Sequence, residues 1–410
     1  MAIWQSSYKA WITNPRQQVN KKNRMEHLYI IGNGFDRYHG ANSTYADFRK
    51  YLLNRNDFLL KMFELFFGPR SMMNSFDHFH DYLLCLQFGK KLPAPKNTWA
   101  SKYLWQDFER HLSELNRERI FDFTDEDLPR LFEGDENFRY ADYYAPIDRV
   151  LDIVHECTFE MQYQFHRWIN TVRYERGFRK RMLDLDINAT FLNFNYTFFL
   201  ETEYEIPREQ ILYIHGDRRG KFGSLVLGHH VEDDETAFDE WIHKNKNRRR
   251  YRPNLKDKRG KYFANDKLVY LAYFLEDETK GNWRNPIRYY AADEIKGRLE
   301  KYYKKNIKHC SDIINRNSRF FESVSSLKEI TVLGHSLGNV DFPYFKSIAD
   351  NVDHWDNLIW NFSYYNDDDI IRIRSFCRRL NIPAGKNVQL FQMSDINDKS
   401  DSHLFACFKS

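Results

Sequence analysis

Seven short apolar runs punctuate a chain that otherwise carries helical patterning: 27–31 (HLYII), 189–194 (ATFLNF), 211–214 (ILYI), 224–227 (SLVL), 329–333 (EITVL), 357–362 (NLIWNF) and 388–391 (VQLF). They are mostly apolar rather than strictly alternating, the pattern of strands covered on both faces of a parallel sheet. Parallel strands need crossover connections of a dozen or more residues, usually helical. Two long polar-aromatic blocks separate the runs, and loops of an α/β sheet tolerate growth of that kind. The expected fold is therefore α/β, a doubly wound, mostly parallel, Rossmann-like sheet with two large helical insertions.

The expected segments are a disordered leader at 1–24, the first strand and its glycine loop at 25–49, and a helical insertion at 50–185. The core resumes at 186–230, a second mostly helical insertion fills 231–328, and the core ends at 329–410. Helical periodicity is clearest at 142–173. The leader lacks the apolar stretch of a signal peptide.

Composition narrows the class. Of 410 residues, 17% are aromatic and 29% charged, too much aromatic side chain for a solvated disordered chain. No apolar run approaches the roughly 18 residues of a spanning helix, so no membrane partner is expected. Five scattered cysteines without CxxC spacing argue against a disulfide framework or a metal site and suit a reducing cytoplasm. A net charge of +4 gives no global argument for nucleic acid. Locally, the stretch 244–261 (KNKNRRRYRPNLKDKRGK) is strongly basic and offers a nucleic-acid-targeting alternative, against the reading of an ordinary solvated loop.

Four strand ends carry residues suited to chemistry. The first run leads into Gly32-Asn33-Gly34-Phe35-Asp36, where a tight turn brings backbone close to a phosphate and a helix N-terminus supplies N–H groups. The third glycine of a dinucleotide fingerprint is replaced by Arg37. The second run ends in Asn195-Tyr196-Thr197; the Asn195 amide can orient water or a ribose hydroxyl, or form a local turn that caps the next helix. The third ends in His215-Gly216, a candidate general base or hydroxyl ligand. The fifth ends in Gly334-His335-Ser336-Leu337-Gly338, which matches the nucleophile elbow of α/β-hydrolases, with Ser336 as nucleophile and His403 as its base. Against the elbow, Asn339-Val340-Asp341-Phe342-Pro343 intervenes before the next helix, with Asp341 or Phe342 placed to cap it. In the first insertion Asp107 and Glu109, two residues apart, point in different directions on a helix. Trp105 is expected to anchor the insertion to the core, with both carboxylates paired to arginines. The alternative turns Glu109 toward the site. Trp360 and Tyr364 read as packing residues.

Taken together, IIGNGFD, Tyr45-x-Asp47-Phe48, Trp105-x-Asp107-x-Glu109, FNYTxxLE, IHG, LGHH, GHSLGxxD and WNFSYY resemble the AbiH family of bacterial abortive-infection proteins, from Met25 nearly to the C-terminus. The chain also resembles sirtuin-like NAD-consuming domains in the order of Gly-x-Gly, Asp-Phe-Arg, Asn, His-Gly and Gly-x-Ser. That second resemblance implies NAD as substrate. Gly32 and Gly34 would shape the pyrophosphate loop, Phe48 would cover the nicotinamide and Arg49 would reach a phosphate or ribose. Asn195 and His215 would be catalytic, and Ser336 a phosphate or ribose ligand. Asn33, Asp36, Asp47, Thr197, Gly334 and Asp341 join these as cofactor-binding positions. Thr197 stands where sirtuins have Asp, and the zinc-binding cysteine quartet is missing, which argues against protein deacylation. The expected function is an antiphage effector that hydrolyses the nicotinamide–ribose bond, with a phage-derived trigger or partner and a regulated or oligomer-gated state. A module that senses a nucleotide without turnover is a third reading.

Overall fold

A computed structural model of the chain describes residues 25–68, 104–113 except 107, positions 115, 120, 124 and 136, 139–229 except 176 and 222, 286–383, 387–397 and 406–407. The strands are β1 (His27–Ile31), β2 (Thr190–Asn193), β3 (Ile211–Tyr213), β4 (Glu329–Leu333), β5 (Ile359–Ser363), β6 (Val388–Phe391) and β7 (Ala406–Cys407). They form one sheet in the order β3-β2-β1-β4-β5-β6-β7. The first six are parallel and β7 pairs antiparallel with β6. The fold is thus the doubly wound α/β architecture that the apolar runs imply. Its strand order reverses between β1 and β4, the switch point where such sheets open a crevice at their carboxyl edge.

The principal helices are α1 (Asn33–Tyr38), α2 (Tyr45–Arg55), α3 (Asp57–Phe67), α4 (Phe108–His111), α5 (Tyr140–Ile169), α6 (Phe199–Thr202), α7 (Pro286–Asn306), α8 (Cys310–Arg316), α9 (Ser318–Ser323), α10 (Phe342–Asn351) and α11 (Asp367–Arg379). Local chemistry sets several boundaries. Thr44 caps α2 reciprocally: its hydroxyl accepts from the Asp47 N–H at 3.1 Å and the Asp47 carboxylate accepts from the Thr44 N–H at 3.2 Å. Asn366 and Asp369 repeat that box at α11.

One expected strand is absent. Residues 224–227 do not join the sheet, because Gly216 and Gly223, both at φ near +80°, turn the chain back on itself. The Val226 N–H then donates to the His215 carbonyl at 2.9 Å, closing a loop over the end of β3.

Hydrophobic packing falls into layers. Tyr344, Phe345 and Ile348 of α10 and Phe376 of α11 cover one face of the sheet, against Trp360 and Phe362 of β5. Phe191, Phe199 and Tyr213 belong to a cluster with Tyr29 and Phe35. A third cluster lies in the helical insertions: Phe48, Phe63, Trp105, Phe108, Phe165 and Trp168 pack together with Tyr302 of α7, so helices from both expected insertions share one core. Many of the aromatic rings buried among the described residues lie there, each contributing about 1.5–3 kcal/mol relative to exposure.

Candidate active site

At the end of β1 the two glycines serve backbone-to-backbone packing. Gly32 N–H donates to the Leu333 carbonyl at 2.9 Å and Gly34 N–H to the Gly334 carbonyl at 2.7 Å. A Cβ on Gly34 would fall 2.7 Å from Gly334 Cα, and one on Gly334, at φ +63°, would fall 2.2 Å from Phe35 N. Only glycine lets these two turns interlock. The Gly32 and Gly34 N–H groups are therefore engaged by the end of β4.

Two polar clusters flank the Phe194–Thr197 loop after β2. In the first, the Asp36 carboxyl, only 2% exposed, accepts from Asn195 Nδ2 at 2.9 Å and from the Thr197 hydroxyl at 2.5 Å, with the Tyr174 hydroxyl at 3.5 Å. Burial pushes this carboxyl up to about 6, against the pull of its hydrogen bonds. Asn195 Nδ2 also donates to the Gly32 carbonyl at 3.1 Å. The amide expected to hold a water is thus engaged with protein acceptors, and the Asx-type turn is made by Asn193, whose side chain accepts from the Asn195 N–H at 3.0 Å.

The second cluster centres on Asp341. This residue precedes α10 as the sequence suggests, yet its side chain makes no capping bond. The carboxylate faces inward instead. Oδ1 lies 3.4 Å from His215 Nε2 and 3.2 Å from Lys308 Nζ, and Oδ2 lies 3.4 Å from His335 Nε2. His335 Nδ1 accepts from the Leu337 N–H at 2.9 Å, which assigns its proton to the nitrogen facing Asp341. Lys308, whose side chain is 0% exposed, also reaches Glu109 Oε2 at 3.1 Å. Its backbone is held by a 2.7 Å bond to the His229 carbonyl. The Tyr45 side chain, from α2, lies beside Glu109 and favours its ionised form.

Electrostatics separate these groups. Burial and the Lys308 charge press His215 down to about 4, so its ring is neutral at pH 7. Burial alone would raise Asp341, but Lys308 and the two histidines hold it well below the usual carboxylate range. Burial pushes Glu109 up, with Lys308 opposing. Lys308 lies above its ordinary value because Asp341 and Glu109 outweigh its desolvation. The cluster thus holds an ammonium, a firmly ionised carboxylate, a second carboxylate of raised proton affinity and two imidazoles. Such a set can stabilise developing positive charge and move a proton.

The remaining candidates are dispersed. Phe48 is fully buried in the insertion core, ringed by Trp105, Phe108, Phe165 and Trp168, so it does not cover a ligand at the sheet edge. Arg49 pairs with Glu64 at 2.7 Å, and Asp47 is occupied at the cap of α2. The exposed Asn33 side chain bonds Ser43. Ser336 is exposed on a turn whose left-handed residues are Gly334 and Leu337, six residues before α10 begins. Asp107, His403 and the basic stretch 244–261 lie outside the described residues. Glu109 is paired with Lys308 rather than with an arginine, and Trp105 donates to Glu64 at 2.8 Å. Nothing in the sequence YYKKNIKHC distinguishes Lys308 from the solvated lysines beside it, so sequence reasoning misses it. A signal for His335 and Asp341 does exist in GHSLGxxD, where the serine masks it. Among the described residues no group of three or more His, Cys, Asp or Glu side chains is arranged to hold a metal ion, and no helix is long and apolar enough to cross a membrane.

Fold and site together define a doubly wound α/β protein whose carboxyl edge carries a buried acid–base cluster built partly by its insertions. The family model described as bacteriophage abortive infection AbiH matches residues 28–364, a span containing every member of the cluster, and the chain belongs to that family. Nothing among curated proteins or solved structures matches the chain.

Proposed function

We propose that this AbiH protein is an antiphage effector that binds NAD at the carboxyl edge of its sheet and hydrolyses the nicotinamide–ribose bond. The observation that carries the reading is the Asp341-centred cluster at the ends of β3 and β4, beside the switch point. Departure of nicotinamide leaves positive charge on the ribose, so the catalyst needs fixed negative charge and a placed water. Asp341 supplies the charge. His215, neutral at pH 7, offers a partner for a ribose hydroxyl. Asn195 is a positioning residue that ties β1 to the loop after β2. The order of Gly-x-Gly, Asn, His-Gly and Gly-x-Ser along the chain, shared with sirtuin-like domains, supports NAD over other nucleotides.

The test is incubation of the purified protein with NAD while nicotinamide is followed, with cellular NAD measured under phage challenge. Nicotinamide release and a fall in NAD are expected. Undiminished NAD in both settings would refute the proposal.

A further inference from the structure

We propose that Glu109, delivered by the first helical insertion, takes the proton from the attacking water, with Lys308 and Tyr45 as its positioning residues. This rests on the reading of the site as an NAD hydrolase. Two carboxylates share one ammonium, but their surroundings differ. Asp341 Oδ1 faces both Lys308 and His215, and Oδ2 faces His335, so both its oxygens are committed. Among the described residues the Glu109 carboxylate is paired with one cation, Lys308 through Oε2, and has the Tyr45 side chain beside it. The environments also push proton affinities apart, Asp341 down through Lys308 and the histidines against its burial, Glu109 up through burial. Paired groups separated in this way divide into a fixed charge and a proton acceptor.

The placement of Glu109 is rigid. Its neighbour Phe108 is fully buried and stacks 5.2 Å from Trp105, with Tyr45 at 5.0 Å. Glu109 therefore reaches the sheet edge because the insertion is docked.

The water oxygen bonds the anomeric carbon of the ribose. The carbon–nitrogen bond breaks with its electron pair going to the pyridinium nitrogen, which becomes neutral. The water proton passes to the Glu109 carboxylate and leaves to solvent. The products are nicotinamide, ADP-ribose and one proton.

The experiment compares nicotinamide release by the full chain and by Glu109→Gln across pH 4–9, with NAD affinity from calorimetry and folding from circular dichroism. The isosteric amide should lower turnover by about 10²-fold or more, with affinity within about threefold, as loss of a general base does. The acidic limb of the wild-type rate profile should vanish. Tyr45→Phe removes a hydroxyl that favours the ionised carboxylate, so its acidic limb should move to higher pH. A folded Glu109→Gln with turnover near wild type overturns this role and leaves the NAD reading standing. A wild-type chain that releases no nicotinamide overturns both. If Glu109→Gln does not fold, an unmoved limb in folded Tyr45→Phe overturns the role.

Discussion

Two carboxyl groups, Asp36 and Asp341, sit on either side of one loop at the same sheet edge, both removed from water, and they are accommodated in opposite ways. Asp36 is met by an amide and hydroxyls, with no cation in hydrogen-bonding reach among the described residues, and its proton affinity rises. Asp341 is met by a buried ammonium and two imidazoles, and its proton affinity falls. The first arrangement ties β1, β2 and the segment around Tyr174 together. The second gathers an ammonium, a carboxylate and two imidazoles at the ends of β3 and β4. Burial alone does not mark a reactive group; the partners decide whether a buried acid acts as scaffold or as charge.

The contrast can be broken most forcefully at Lys308. Lys308→Met leaves Asp341 and Glu109 facing each other without their cation, and loss of one member of a buried ion pair costs about 3–5 kcal/mol. Chemical denaturation should show that loss, and adding Glu109→Gln should recover part of it. Substitutions at Asp36 should be milder and read out through pH. Its carboxyl holds a proton more tightly folded, at about 6, than at its ordinary 3.8. The folded state therefore binds more protons in that window, and stability should fall as pH rises through it, with a slope of at most about 1.4 kcal/mol for each pH step of one. Asp36→Asn should flatten this slope. Asp341, with its affinity lowered, contributes in the opposite sense: its stabilisation is present above the ordinary carboxylate value and is lost on acidification below it. Thr197→Val, which removes one donor to Asp36, should cost about 1–3 kcal/mol in thermal or denaturant unfolding. The smallest effect is expected at Ser336. Its exposed side chain should tolerate alanine within about 0.5 kcal/mol, with nicotinamide release retained. Abolished turnover in Ser336→Ala would instead restore the elbow-nucleophile reading.

Much of the sheet is legible in the sequence because period and apolarity are local signals. Runs 27–31, 329–333 and 388–391 coincide with β1, β4 and β6, and three others differ by a residue or two at their ends. The run 224–227 has the same composition, but glycines with positive φ fold it away from the sheet, an outcome its apolarity cannot express. β7 is two residues long and below any periodicity. Of the site, His215 and Asp341 carry local marks: a strand-terminal position and a place before a helix. Glu109 is visible only as an alternative. Lys308 is invisible, because its burial arises from the return of the chain along residues 228–229 and from two acids distant in sequence. Phe48 and Arg49 show the converse. Their motif suggests a ligand contact, whereas packing and an ion pair within the insertion claim both side chains.

The decisive measurement is nicotinamide release by folded Asp341→Asn and Asp36→Asn side by side, each rate expressed per folded molecule. If the Asp341 cluster is the reaction centre and the Asp36 cluster its scaffold, Asp341→Asn should lose about 10²-fold or more while Asp36→Asn stays within a few fold of wild type. Equal rates in wild type and Asp341→Asn, or a selective collapse in Asp36→Asn, would contradict that division.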